Sequence, residues 1–175
     1  MRKVLVHKKF GHKNLRTGDV FTIALTGDEY LLGQILEPGR EFYMCVFSKV
    51  FYELTSAANA VGLPLLLIGL TTDALFFHGR WKVIGSAKLP ATYPRPLSVV
   101  EGPHGLDLVD FDQKRIRAAN SVDEKYYGFR TSFAPVIFEN AARAFLGIET
   151  DAEDLSDIMA SDAVRRAVQL PELQE

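Results

Sequence analysis

The chain has 175 residues, 47% hydrophobic and 11% aromatic, enough for one domain with a core of its own, which excludes disorder as the default state. A single cysteine, Cys45, excludes an internal disulfide framework and any CxxC metal or redox pair, so the reducing cytoplasm is the simplest setting. The net charge of -2 conceals opposed halves: residues 1–100 carry 12 Lys and Arg against 7 Asp and Glu, and residues 101–175 carry 8 against 15, giving +5 and -7.

Met1-Arg2-Lys3 imitates the start of a signal peptide, but the apolar run Val4–Val6 ends at His7-Lys8-Lys9, so no export segment is expected. Residues 2–16 hold Arg2, Lys3, Lys8, Lys9, Lys13 and Arg16 without an acid. This reads as an edge strand, Lys3–Lys9, whose lysines discourage edge-to-edge pairing, in preference to a mobile arm for phosphates. From Asp19 the pattern alternates, with Phe21, Ile23 and Leu25 on one face and Thr26-Gly27-Asp28 as a turn. Tyr30–Leu36 continues as a strand, Pro38-Gly39 supplies type II turn residues, and Glu41–Phe51 returns, so three strands form a meander.

The run Ala60–Leu70 is broken by Gly62, Pro64 and Gly69, too short and interrupted for a membrane span, and reads as buried core. Pro64–Leu70 and Ala74–Phe77 are predicted strands, His78-Gly79-Arg80 a turn, and Trp81–Gly85 another strand. Pro90, Pro94 and Pro96 make Lys88–Pro96 an extended crossing. After a Gly-Pro loop at residues 101–105, Leu106–Phe111 and Arg115–Ala119 supply one or two short strands. Beyond residue 130 the period becomes helical: Pro135 suits a first helical position, Phe138, Ala141, Ala142 and Phe145 share the spacing, and Gly147 is placed to stop the helix. Thr150 and Glu153 form a capping-box signature for a second helix toward Ala160, and Asp162–Val168 suggests a third before Pro171. No linker divides the chain.

Chemistry is sparse. No GxSxG, GxxxxGK[ST], HExxH or GxGxxG pattern is present. Cys45 sits among Phe42, Tyr43, Met44, Val46 and Phe47, surroundings of an inert core thiol. His104 with Asp107, Asp110 and Asp112 could hold a cation or share a proton, but the spacing matches no established ligand set. Strand alternation would place Asp110 and Asp112 on one face and Asp107 on the other. Trp81 reads as a core aromatic with its indole N–H satisfied. Tyr126-Tyr127-Gly128-Phe129-Arg130 mixes aromatics with a cation as single-stranded nucleic acid surfaces do, yet Asp123 and Glu124 beside it would repel phosphates. Glu149, Asp151, Glu153, Asp154 and Asp157 place five carboxylates within nine residues. Complementing a helix dipole explains those of a first turn, and the whole cluster could face a basic partner.

Gly18-Asp19-Val20-Phe21-Thr22-Ile23-Ala24-Leu25, then Tyr30 and Gly33-Gln34-Ile35-Leu36, and later Trp81-Lys82-Val83-Ile84-Gly85, resemble the immunity protein 26 family of bacterial polymorphic-toxin systems. The similarity covers roughly residues 15 to 90 and lies in strand patterns, "GDxFxI" and "WxxIG". It implies a mainly β-stranded protein that neutralises a cognate toxin encoded beside it, with no catalytic residues assigned and none to carry over.

The expectation is therefore a mainly β (α+β) single domain over residues 1–175: a bent antiparallel sheet or partly open barrel in 1–120, with two or three helices in the C-terminal part, 130–170. The expected function is binding of a toxin without catalysis, metal or cofactor, with Glu149, Asp151, Glu153, Asp154 and Asp157 as candidate partner-binding residues. The alternatives are an enzyme using a carboxylate-histidine site near residues 104–112, and a nucleic-acid-binding β-domain led by the basic N-terminal segment.

Overall fold

The computed structural model describes residues 14–53, 55–148 and 156–167. The predicted strand Lys3–Lys9 and the Thr150 capping box lie outside them. The chain runs β1 (Asp19–Ala24), β2 (Tyr30–Glu37), β3 (Phe42–Phe47), a 3₁₀ turn at Ala57–Ala60, β4 (Leu65–Thr71), α1 (Ala74–Phe77), β5 (Lys82–Ser86), β6 (Ser98–Gly102), β7 (Gly105–Val109), β8 (Arg115–Ala118), α2 (Ser121–Tyr127), β9 (Ser132–Phe133), α3 (Pro135–Phe145), a 3₁₀ turn at Ser156–Ile158 and α4 (Ala160–Arg166). Mainly β architecture with C-terminal helices is present, as two open sheets: β5-β1-β2-β3-β4-β9 and β6-β7-β8. The larger sheet is mixed rather than wholly antiparallel, because β9 runs parallel to β4, with Leu70 opposite Ser132 and Thr71 opposite Phe133.

The central strands are buried on both faces. Every residue of β3 is buried, as are the six inner residues of β2, so their sequences are apolar throughout except at Gln34. Side chains still alternate. Leu31, Ile35, Phe42, Met44 and Val46 enter one core, while Leu32, Leu36, Tyr43, Cys45 and Phe47 enter a second on the opposite face.

The first core is covered by α1, Trp81 and α3. Phe21 stacks on Trp81 at 4.9 Å between ring centroids and meets Phe76 edge-on at 4.8 Å. Gly33 lies opposite Phe21 in the β1–β2 register, and a Cβ there would collide with the Phe21 ring. The glycine thus makes room for the ring that covers it. The Trp81 indole N–H donates to Glu139 Oε1 at 2.9 Å, and the Arg80 guanidinium binds the other carboxylate oxygen. These bonds let α3 place a charged group against the core, since an unpaired carboxylate there would cost several kcal/mol.

The second core is covered by the 3₁₀ turn at Ala57–Ala60, the extended segment carrying Ala87, Leu89 and Tyr93, Phe111, and Ala160 and Ala163 of α4. Buried Gln34 joins that segment to the residue just before β1, its amide donating to Gly18 O at 3.2 Å and Ala87 O at 3.0 Å. A smaller core, Leu97, Val99, Leu108 and Tyr127, lies between the second sheet and α2. Asn120 and Asp123 form a capping box at the start of α2. Asp123 also accepts from Arg117 Nη2 at 2.7 Å, a bond that, aided by the Asn120 N–H, holds its carboxyl below the usual range despite the opposing effect of burial.

Several elements differ from the sequence expectation. Ala74–Phe77 is one helical turn rather than a strand: Phe77 N–H donates to Asp73 O, and Leu75 and Phe76 are buried. Four apolar residues in succession have no period to separate the two conformations. β6, α2 and β9 were not expected. α3 begins at Pro135 as expected, with Phe138, Ala141 and Ala142 buried, but Phe145 is exposed. The predicted helix Asp162–Val168 corresponds to α4 at Ala160–Arg166.

Trp81→Ala should cost about 3–5 kcal/mol in chemical denaturation, through the loss of a fully buried aromatic. Asp123 stabilises the fold above its unfolded pKa of about 3.9, and that contribution is lost as pH falls through the lower folded value. Asp123→Asn should therefore be less stable at neutral pH and lose less stability than wild type on acidification below about pH 4, as followed by urea titrations across that range.

Candidate functional site

The carboxylate-histidine group near residues 104–112 is taken apart by the fold. His104 sits in the turn between β6 and β7. β7 ends at Val109, so strand alternation does not extend to Asp110 and Asp112. Asp107 accepts from Arg115 Nε at 2.7 Å, Asp110 accepts from the Lys114 backbone N–H at 2.8 Å, and Asp112 pairs with Arg95 at 2.6 Å. Each carboxylate serves a local turn or ion pair, and among the described residues no three His, Cys, Asp or Glu side chains gather as metal ligands.

The other candidates separate equally clearly. Cys45 is fully buried, and desolvation pushes its thiol up to about 12, leaving little thiolate at neutral pH. Trp81 belongs to the core, as the sequence suggested. Of the stretch Tyr126–Arg130, Tyr127 is buried and Tyr126 lies beneath Arg165, with Cζ 4.6 Å from its ring. Phe129 remains 47% exposed.

Among the predicted partner-binding residues, Glu149, Asp151, Glu153 and Asp154 lie outside the described residues. Asp157 is exposed, in the 3₁₀ turn before α4. Its carboxylate stands 3.7 Å from Arg166 Nη1, and its backbone carbonyl accepts from Arg166 Nη2. Arg166 also pairs with Asp162 at 2.8 Å, while its own carbonyl accepts from Leu97 N at 3.0 Å. It thereby connects α4 to the second sheet.

A cleft opens where these parts meet. It includes a cavity of about 50 Å³ walled by Tyr43, Ile68, Leu97, Phe111, Phe129 and Phe133, with Ser98, Arg130, Thr131, Asp157 and Arg166 among its polar groups. Leu70 and Arg130 also line an adjoining open groove of about 770 Å³, together with Arg40, Glu41, Thr72, Asp73 and Gln113. Tyr43 is fixed by donating to Pro94 O at 2.7 Å, and burial raises its phenol above the ordinary range. Arg130 Nη1 donates to Phe111 O at 2.9 Å, with its guanidinium carbon 5.3 Å from the Phe111 ring centroid. Arg95 lies over the same ring at 4.7 Å.

No family model, curated protein or solved structure matches the chain. Attention to Arg130 arises from its aromatic neighbours in the sequence, whereas Ser98 and Arg166 carry no such signal. They are brought together only by the docking of α4 and the second sheet onto the larger sheet.

Native protein should resist alkylation of Cys45 at neutral pH. Modification measured by mass spectrometry should become rapid only in denaturant, at the unfolding midpoint followed by tryptophan fluorescence.

Proposed function

We propose that this protein is an immunity-type binding protein that neutralises a cognate bacterial toxin by direct contact, without catalysis, in the cytoplasm of the producing cell. The observation carrying this reading is how the chain uses its reactive side chains: Cys45 is buried, and Asp107, Asp110 and Asp112 are occupied in local pairings. The resemblance to the immunity protein 26 family supports the same function. Its residues occupy β1, β2 and β5, neighbouring strands of the larger sheet, where Phe21, Gly33 and Trp81 form the framework rather than an exposed contact face.

Recognition is then assigned to surface outside that framework. The acidic stretch Glu149, Asp151, Glu153, Asp154 and Asp157 suits a basic cleft on a toxin, such as one that holds nucleic acid, and exposed Asp157 marks its described end. Charge complementarity of this kind acts chiefly on the rate of association. Among the described residues no helix is long and apolar enough to cross a membrane, and no membrane partner enters the reading.

The test is co-expression with the toxin encoded beside the gene, together with association kinetics on the purified pair. Added salt should slow association, and replacing Asp151, Asp154 and Asp157 together by Asn should slow it several-fold while flattening the salt dependence. Thermal stability is measured in parallel, because Asp157 also pairs with Arg166 and losing an exposed ion pair costs up to about 1 kcal/mol. Wild-type association and full protection of toxin-expressing cells by a stable triple variant would remove this stretch as the interface. Absence of both binding and protection by the wild-type protein would overturn the function itself.

A further inference from the structure

We propose that the cavity between the two sheets is a binding site for a small organic carboxylate, its apolar body against the aromatic walls and its carboxylate on Arg130 and Ser98. The cavity shares Asp157 with the acidic stretch assigned to toxin recognition, but the inference does not rest on that reading.

Ser98 supplies the first observation. It is only 7% exposed, lines the cavity, and its hydroxyl has no hydrogen-bond partner among the described residues. Leu97 and Val99 belong to the small core behind the second sheet, so strand alternation turns Ser98 toward the opposite face. A buried hydroxyl without a partner is destabilising, and a ligand acceptor would relieve that cost.

Arg130 supplies the second. Its guanidinium has five N–H donors, of which one is engaged by Phe111 O, and no carboxylate among the described residues pairs with it. Arg166, on the same wall, has Asp157 and Asp162, and Arg95 has Glu37 and Asp112. Arg130 is therefore a cavity cation held in no ion pair among the described residues, although Glu41 and Asp73 line the groove beside it. The Phe111 carbonyl and ring fix its plane, and a planar fork fixed in this way suits the two oxygens of a carboxylate.

Size and lining restrict the ligand body. A cavity of about 50 Å³ holds roughly four water-sized probe spheres, enough for a short branched alkyl group or the edge of one ring. Asp157 at the wall disfavours a second negative charge on the ligand, which favours a monoanion. Phe129, half exposed, also lines the cavity and adds an apolar surface that a ligand could cover.

The experiment titrates the full chain with isovalerate and benzoate, and with isovaleramide and isoamylamine as uncharged and cationic counterparts, by calorimetry and ¹H–¹⁵N NMR. Both carboxylates should saturate, with shifts concentrated at Ser98, Arg130 and Phe133, whereas the amide and the amine should not. Arg130→Gln should weaken binding about tenfold or more, and Arg40→Gln, which alters only the groove, should bind as wild type. Ser98→Ala should weaken binding several-fold while leaving Tm unchanged or raised, because it removes an unpartnered buried hydroxyl. A lowered Tm for Ser98→Ala would mean that the hydroxyl already has a structural role, and would overturn the proposal. Equal binding of amide and carboxylate would also overturn it, as would the absence of saturation by either carboxylate at millimolar concentration. The comparison of ligands on the wild-type protein stands even where a variant fails to fold.

Discussion

Burial of β2 and β3 on both faces is the constraint from which the rest of the structure follows. A sheet with apolar side chains on both sides needs two covering layers, and this chain obtains them from separated segments. One layer is α1, Trp81 and α3. The other is assembled from the Ala57–Ala60 turn, the proline-rich crossing, Phe111 and α4. The halves differ in character: the first is closed by the buried Glu139 carboxylate on the Trp81 indole, the second by backbone and arginine contacts between irregular pieces.

That difference explains where a cavity can exist. Phe21, Phe76 and Trp81 interlock in mutually stacked and edge-on geometry within the first layer. On the other side the second sheet and α4 approach from different directions and touch through Leu97 N–H and the Arg166 carbonyl. Space remains between them, walled by aromatic rings and edged by guanidinium groups. A recognition site thus lies along the seam of the assembly rather than in its regular part.

What was legible in the sequence follows the same division. The strands from Asp19 to Phe47 announced themselves through β-branched and aromatic residues bounded by Gly27-Asp28 and Pro38-Gly39, and α3 through Pro135 and its apolar period. Ala74–Phe77 misled because a single turn is shorter than any period. α2 escaped because its start is marked by the Asn120–Asp123 capping box in a polar stretch that reads as loop. β9, two residues long, exists only because β4 is there to pair with it. The placement of Cys45 and Trp81 could be inferred from their neighbours, but the meeting of Ser98, Arg130 and Arg166 is a product of tertiary docking and left no local trace.

The outer edge of β4 has a further significance. Its sequence, Leu65-Leu66-Leu67-Ile68-Gly69-Leu70-Thr71, is uncharged and rich in β-forming residues, the composition of segments that stack into cross-β fibrils when bared. In the folded chain that edge is capped piecemeal, by Ser132 and Phe133 at one end and by Met159 opposite Leu67. The short β9 and the residue just before α4 therefore act as guards against self-association. Proteolytic loss of the last thirty or so residues would remove the Met159 bridge and leave β9 alone on this edge, opening the Leu67 end to other chains and making the C-terminal segment a determinant of colloidal behaviour as well as of shape.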